Sequence, residues 1–149
     1  MILHLTMPGG WTSIRAGDAV IHRKGRIGIR ALPIRELPEN AKFWIERSAL
    51  KGAPAGTKWT QRKRAELVTR DGWPAVVVEV VLAHETFQQV RVIALYQFLT
   101  YASGAEVHSD PEDFAHEREA IYDILQGGRP DWGPQETVSL PSLLEGVVL

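Results

Sequence analysis

The chain has 149 residues, 44% of them hydrophobic and 23% charged, with a formal net charge of −1 and no cysteine. That length suits one domain burying roughly two thirds of its unfolded surface. The absent cysteine closes disulfide, thiolate and Cys-ligated metal chemistry, and a near-zero charge supplies no overall field for nucleic acid or an anionic membrane.

From the amino terminus, Ile2 to Thr6 reads as a short strand, and Pro8-Gly9-Gly10 turns the chain toward Trp11. The segments Ala19 to Arg23 and Arg26 to Leu32 flank Lys24-Gly25 as a hairpin, glycine supplying the positive φ of a tight turn. After Pro38 a helix is predicted, since Ala41, Trp44, Ile45, Ser48 and Ala49 recur at helical spacing. Gly52, Pro54 and Gly56 end it. A strand follows from about Thr57 to Thr69, and Arg70-Asp71-Gly72 forms the next turn.

Two long runs, Pro74 to Ala83 and Val90 to Leu99, are apolar on both alternating faces and are joined by a turn at His84-Glu85. Glu79 interrupts the first run, and Arg91 and Gln97 interrupt the second. A strand wetted on one side alternates apolar with polar residues, so these runs predict central strands covered on both faces. A shorter strand is expected at Ala105 to His108. A second helix then begins, capped by Ser109 or Asp110, with Pro111 in its first turn and Glu112 and Asp113 at the positive end of its dipole. Its apolar stripe is Phe114, Ile121, Tyr122 and Leu125, and Gly127-Gly128 stops it. Residues 1–128 are read as one domain, and residues 129–149 as a Pro/Gly linker and a tail carrying Leu143-Leu144 and Val147-Val148-Leu149. The tail either docks on the body, swaps between subunits or offers a partner an apolar peptide.

The predicted class is α+β: an antiparallel sheet of about six strands sandwiched between two or more helices. The amino terminus lacks the basic start and long apolar core of a secretory signal, and no apolar run reaches the roughly 20 residues of a membrane span. A cytoplasmic protein without stable membrane insertion is the expectation.

The cluster His108, Asp110, Glu112, Asp113, His116 and Glu117 resembles a ligand set only in composition. Helical neighbours lie three or four apart, and His116 finds only Glu112, Asp113 and Glu119 at those offsets, so capping explains the acids and no metal site is assigned. On a strand, Lys58, Thr60, Arg62 and Arg64 would share one face, opposite Trp59, Gln61, Lys63 and Ala65. Such a stripe protects a sheet edge, and nucleic acid is not an expected partner. The serines have no GxSxG context and the glycines make no phosphate-binding motif, so no catalytic residue and no cofactor is assigned.

The order and spacing of Pro8-Gly9-Gly10-Trp11, the helix near Ala41 to Leu50, the turn Thr69-Arg70-Asp71-Gly72-Trp73-Pro74-Ala75, the run Ala94-Leu95-Tyr96-Gln97-Phe98 and the late amphipathic helix resemble the PsbP-like superfamily. The resemblance covers roughly residues 1 to 127 and implies an antiparallel sheet sandwiched between helices. Within that superfamily, small bacterial proteins of this length include the Eag-type chaperones of type VI secretion, which hold apolar transmembrane segments of effectors. It therefore implies a non-enzymatic binding protein or adaptor whose partner is an apolar helical segment of another protein. Separately from the resemblance, a homodimer is left open. Val77, Val81, Ile93, Leu95 and Leu99 on the sheet faces are the candidate partner-binding residues. The alternative is a carrier of a small apolar ligand or lipid in a closed pocket.

Overall fold

The computed structural model describes residues 1–131 of the chain. The tail segments Leu143-Leu144 and Val147-Val148-Leu149, and with them the expectations for docking or swapping, lie outside the described residues. The elements run β1 (Leu3–His4), β2 (Thr12–Ala16), β3 (Ala19–Lys24), β4 (Ile27–Ala31), β5 (Arg35–Glu36), α1 (Ala41–Leu50), β6 (Lys58–Val68), β7 (Pro74–His84), β8 (Phe87–Phe98), β9 (Tyr101–Ser109), α2 (Pro111–Gln126) and β10 (Arg129–Pro130). Eight strands make one sheet in the order β2-β3-β4-β9-β8-β7-β6, with β5 pairing β9 beyond the end of β4. Every pairing in it is antiparallel.

The fold is thus the α+β sandwich expected, with eight sheet strands where about six were predicted. The additions are the short strands β2 and β5, too polar and too brief to leave a periodic signal. β9 spans nine residues rather than the four anticipated, because Ser103 and Gly104 continue the ladder against Tyr96 and Leu95.

The double-sided runs become β7 and β8, and the two helices explain them. Ile45 and Ala49 of α1 join Val76, Val78, Val80, Leu82, Ile93 and Leu95 in one core cluster. Phe114, Ile121, Ile124 and Leu125 of α2 join Val77, Val92, Ala94, Tyr96 and Phe98 in the other. Ile2, Leu3 and Leu5 extend that second cluster over Ile27, Ile29 and Val107. The α1 start is fixed by Asn40, whose side chain accepts from the Phe43 N–H at 2.9 Å, and the α2 start by Asp110, which accepts from Asp113.

The chain continues past residue 128 without a break in pairing. β10 pairs with β1, and the Asp131 carboxylate accepts from the Ile2 N–H at 3.1 Å. Gly128 lies against the Tyr96 ring, and the buried Tyr96 hydroxyl donates to the Leu125 carbonyl at 2.5 Å.

Gly104 has a specific steric role. A Cβ there would overlap the Trp44 ring and come within 3.0 Å of the Ala94 carbonyl oxygen, so the missing side chain lets Trp44 lie down on β9. Gly104→Ala is expected to cost about 1–2 kcal/mol through this overlap. Urea denaturation followed by circular dichroism measures it, and unchanged stability would show that Trp44 is not seated on β9.

Candidate functional site

Side chains directly opposite one another in a sheet share a face, so register sorts every strand residue by layer. On the α1 side, one rung reads Arg23, Gly28, His108, Arg91 and the next Ile21, Arg30, Glu106, Ile93. With ten residues, α1 covers the β7–β8 part of this face, where its apolar residues pack. The β2–β3–β4 side is a trough along its flank.

Two adjoining hollows sharing Arg30 and Lys51 form this trough. One, of about 400 Å³, has Gly28 in its floor and Arg23, Arg30, Lys51, Glu106 and His108 in its walls. The other, of about 350 Å³, lies under Trp44 and is lined by Leu32, Pro33, Leu95 and Gly104 together with Arg30 and Lys51, and at its end by Glu36 and an Arg35–Asp18 pair. Beyond them, Ile14 of β2 pairs with Ile21 and is 60% exposed. The surface therefore combines apolar side chains with a basic centre.

The electrostatics of that centre follow from three separate segments meeting. Arg91, only 4% exposed, donates to the Ala49 and Lys51 carbonyls at 2.9 and 2.7 Å, closing the carboxyl end of α1, and to Gln89. Arg30 approaches Glu106 at 3.7 Å. Arg26, at the rim, is engaged by Asp110 and Asp113. His108 is pushed down to about 4 by burial, reinforced by the charges of Arg91, Lys51 and Arg30, so its imidazole is neutral at pH 7.

The opposite face holds different polar groups. Glu79, 2% exposed, accepts from the Tyr122 hydroxyl at 2.8 Å and from Arg118 at 3.1 Å, with Arg62 at 3.6 Å. This is the interruption in the first apolar run, and it ties α2 to β7. Near the β2–β3 edge, Ser13 Oγ and His22 Nδ1 share a hydrogen bond of 2.6 Å beside a cavity of about 460 Å³. Burial, and then the nearby His4, lower the His22 pKa. Among the described residues no carboxylate bonds the His22 ring, so the third member of a catalytic triad is not assembled.

The five candidate partner-binding residues are not brought together. Val77 and Val81 face α2, while Ile93 and Leu95 face α1. Leu99 sits in the β8–β9 turn at φ +62° and is 38% exposed. Of the five, Leu95 lines the trough. The charge stripe on β6 is also divided, because a bulge between Gln61 and Lys63 shifts the register. Lys63, opposite Glu79, lies over the Tyr122 ring on the α2 side, whereas Arg64 pairs with Val78 on the α1 side. Around α2, Asp110 caps the helix, Asp113 holds Arg26 and Glu117 holds Lys24. Among the described residues no group of three or more His, Asp or Glu side chains converges as metal ligands.

Sequence reasoning missed the trough. Arg23, Gly28, Arg30, Lys51 and Glu106 are scattered through a hairpin, a helix end and strand β9, and carry no motif. Arg91, as a charge inside an apolar run, was the available signal.

No family model matches the chain, and no curated protein matches it in sequence. Among solved structures, the solution structure of cyanobacterial PsbP (CyanoP) from Synechocystis sp. PCC 6803 aligns over 85% of both chains with a TM-score of 0.65 and 8% identity. A crystal structure of a Pseudomonas aeruginosa protein of unknown function aligns over 87% of this chain and 100% of that one, with a TM-score of 0.49 and 14% identity. The first of these shows that the fold is PsbP-like. No helix among the described residues is long and apolar enough to cross a membrane.

Proposed function

We propose that this chain is a non-enzymatic binding protein that holds an apolar segment of another protein in the trough beside α1, in the manner of an effector chaperone of type VI secretion. The observation that carries this reading is the β2–β4 side of the α1 face, which no other described residue covers and where Ile14 and Ile21 stand next to a hollow lined by Trp44, Leu32 and Leu95. Apolar surface left facing water beside a filled core is the ordinary mark of a docking site. Binding there transfers apolar area out of water at about 25 cal/mol per Å². Among the described residues both hollows open to solvent and carry charge on their walls, which favours a polypeptide over a lipid sealed in a closed pocket.

The test compares wild type with Ile14→Asp/Ile21→Asp in pull-downs from the native host. Both side chains lie toward the sheet edge, outside the two core clusters, so the variant is expected to keep its melting temperature. A partner bearing an apolar helical segment is expected to be retained by wild type and reduced at least tenfold in the variant. Equal retention by the two proteins would remove the trough as the binding surface.

A further inference from the structure

The hollow above Gly28 has a charge balance that the fold itself does not require. Arg23, Arg30 and Lys51 reach it from β3, β4 and the carboxyl end of α1, and Arg91 stands behind His108 on β8. Four cations line the hollow, Arg23, Arg26, Arg30 and Lys51, against one lining carboxylate, Glu106, which lies 3.7 Å from Arg30; Arg26 is engaged at the rim by Asp110 and Asp113. Among the described residues Arg23, Lys51 and Arg91 form no ion pair; Arg91 is buried, donates to carbonyl and amide oxygens, and has the Glu106 charge at longer range. Concentrating like charge around a buried guanidinium raises the free energy of the empty protein, and an anion seated among the cations relieves that cost.

The floor is shaped for such a group. A Cβ built on Gly28 meets no atom within 4 Å, and its φ is not in the left-handed region, so the glycine is not required by the backbone and its missing side chain leaves the space empty. The flanking His108 is neutral at pH 7 for the reasons given above and can donate one N–H to a ligand without repelling one.

We propose that this hollow is a binding site for a phosphate group carried by a small organic phosphate, the phosphate seated over Gly28 between Arg23, Arg30 and Lys51. A dianion with three terminal oxygens fits a surplus of cations that converge from three elements, whereas a carboxylate brings one charge and two oxygens. The volume of about 400 Å³ exceeds a bare phosphate and leaves room for an organic remainder against Ile21. The hollow is one half of the trough of the proposed function, and the assignment rests on its charges and floor, not on that reading.

The experiment titrates the full-length chain with inorganic phosphate, and separately with acetate, at constant ionic strength, following backbone amides by heteronuclear NMR. Phosphate is expected to give saturable shifts confined to the amides near Arg23, Gly28, Arg30, Lys51 and His108, with a dissociation constant on the order of 1 mM. Acetate is expected to bind at least tenfold more weakly. Gly28→Val fills the floor at a strand position that suits valine, so it keeps the fold and is expected to abolish the response, and Lys51→Gln is expected to weaken it severalfold. Shifts spread evenly over the basic surface, acetate binding equal to phosphate, or an unaltered response in Gly28→Val would each overturn the proposal.

Discussion

Trp73→Ala is expected to lower the unfolding free energy by about 3–5 kcal/mol, the cost of deleting a fully enclosed large aromatic side chain. Trp73 is 1% exposed and meets Phe98 edge-on, with ring centroids 5.1 Å apart and planes at 83°, a geometry that adds to the burial itself. Its backbone closes the β6–β7 turn: its N–H donates to the Thr69 hydroxyl at 3.0 Å, and its carbonyl accepts from the Thr69 N–H at 2.8 Å. The adjacent Arg70 N–H donates to the Gln126 carbonyl, and the Arg70 guanidinium pairs with Asp123, so the same turn anchors the carboxyl end of α2. A cavity at residue 73 therefore loosens helix and hairpin together. Equilibrium urea denaturation by circular dichroism reads the loss, and the melting temperature is expected to fall by roughly 10 °C or more. A loss below about 1 kcal/mol would contradict the packing described for this residue.

Acid is expected to destabilise the protein through His108. In the unfolded chain this imidazole titrates near 6.5, whereas in the folded protein burial and the Arg91, Lys51 and Arg30 charges push it down to about 4. Between those values the unfolded chain binds a proton that the folded protein does not, so stability rises with pH across the window. The contribution is complete above about pH 6.5, is lost as the pH falls toward 4, and is constant below. The shift corresponds to a change on the order of 3 kcal/mol. The groups facing the ring are Arg30 and Gly28 on β4, Glu106 on β9, Arg91 on β8 and Lys51 at the end of α1. Glu106 is the acid among them, and its distance of 3.7 Å from Arg30 directs its charge toward that guanidinium. Because other carboxylates also respond to acid, the measurement is a difference. The stability of His108→Gln relative to wild type, compared at pH 7 and pH 4.5, is expected to move in the variant's favour by most of that amount. No movement, or a folded-state His108 that titrates above pH 6 by NMR, would show that the ring is not enclosed by those cations.

Both results depend on residues whose roles read very differently from the sequence. Trp73 stands in a motif-like turn before a long apolar run, and its burial follows from that position. His108 stood in a tempting cluster with Asp110, Asp113 and His116, yet its neighbours in space are Arg30, Arg91 and Lys51. Strand alternation separates it from the helix residues that follow: Asp110 turns to cap α2, while His108 projects to the other layer. The β6 charges were misassigned for a related reason, since period-two counting fails at the Arg62 bulge and every residue beyond it changes face.

The sequence by itself determined the class of this protein. Two double-sided apolar runs demanded covered central strands, two amphipathic stripes with capping residues supplied the covers, and glycine turns imposed antiparallel connections, because each of these signals is local and set by side-chain periodicity. Only the tertiary structure decided which residues share a face and which surface the other described residues leave open. Val77 and Ile93 are equally apolar and equally buried, yet they lie on opposite sides of the sheet, and no local pattern distinguishes them. The trough exists because α1 is only ten residues long and settles over β7 and β8. Its basic hollow exists because antiparallel register places Arg23, Gly28, His108 and Arg91 in one rung, drawing charge from segments up to 85 residues apart in the chain, counting from Arg23 to His108.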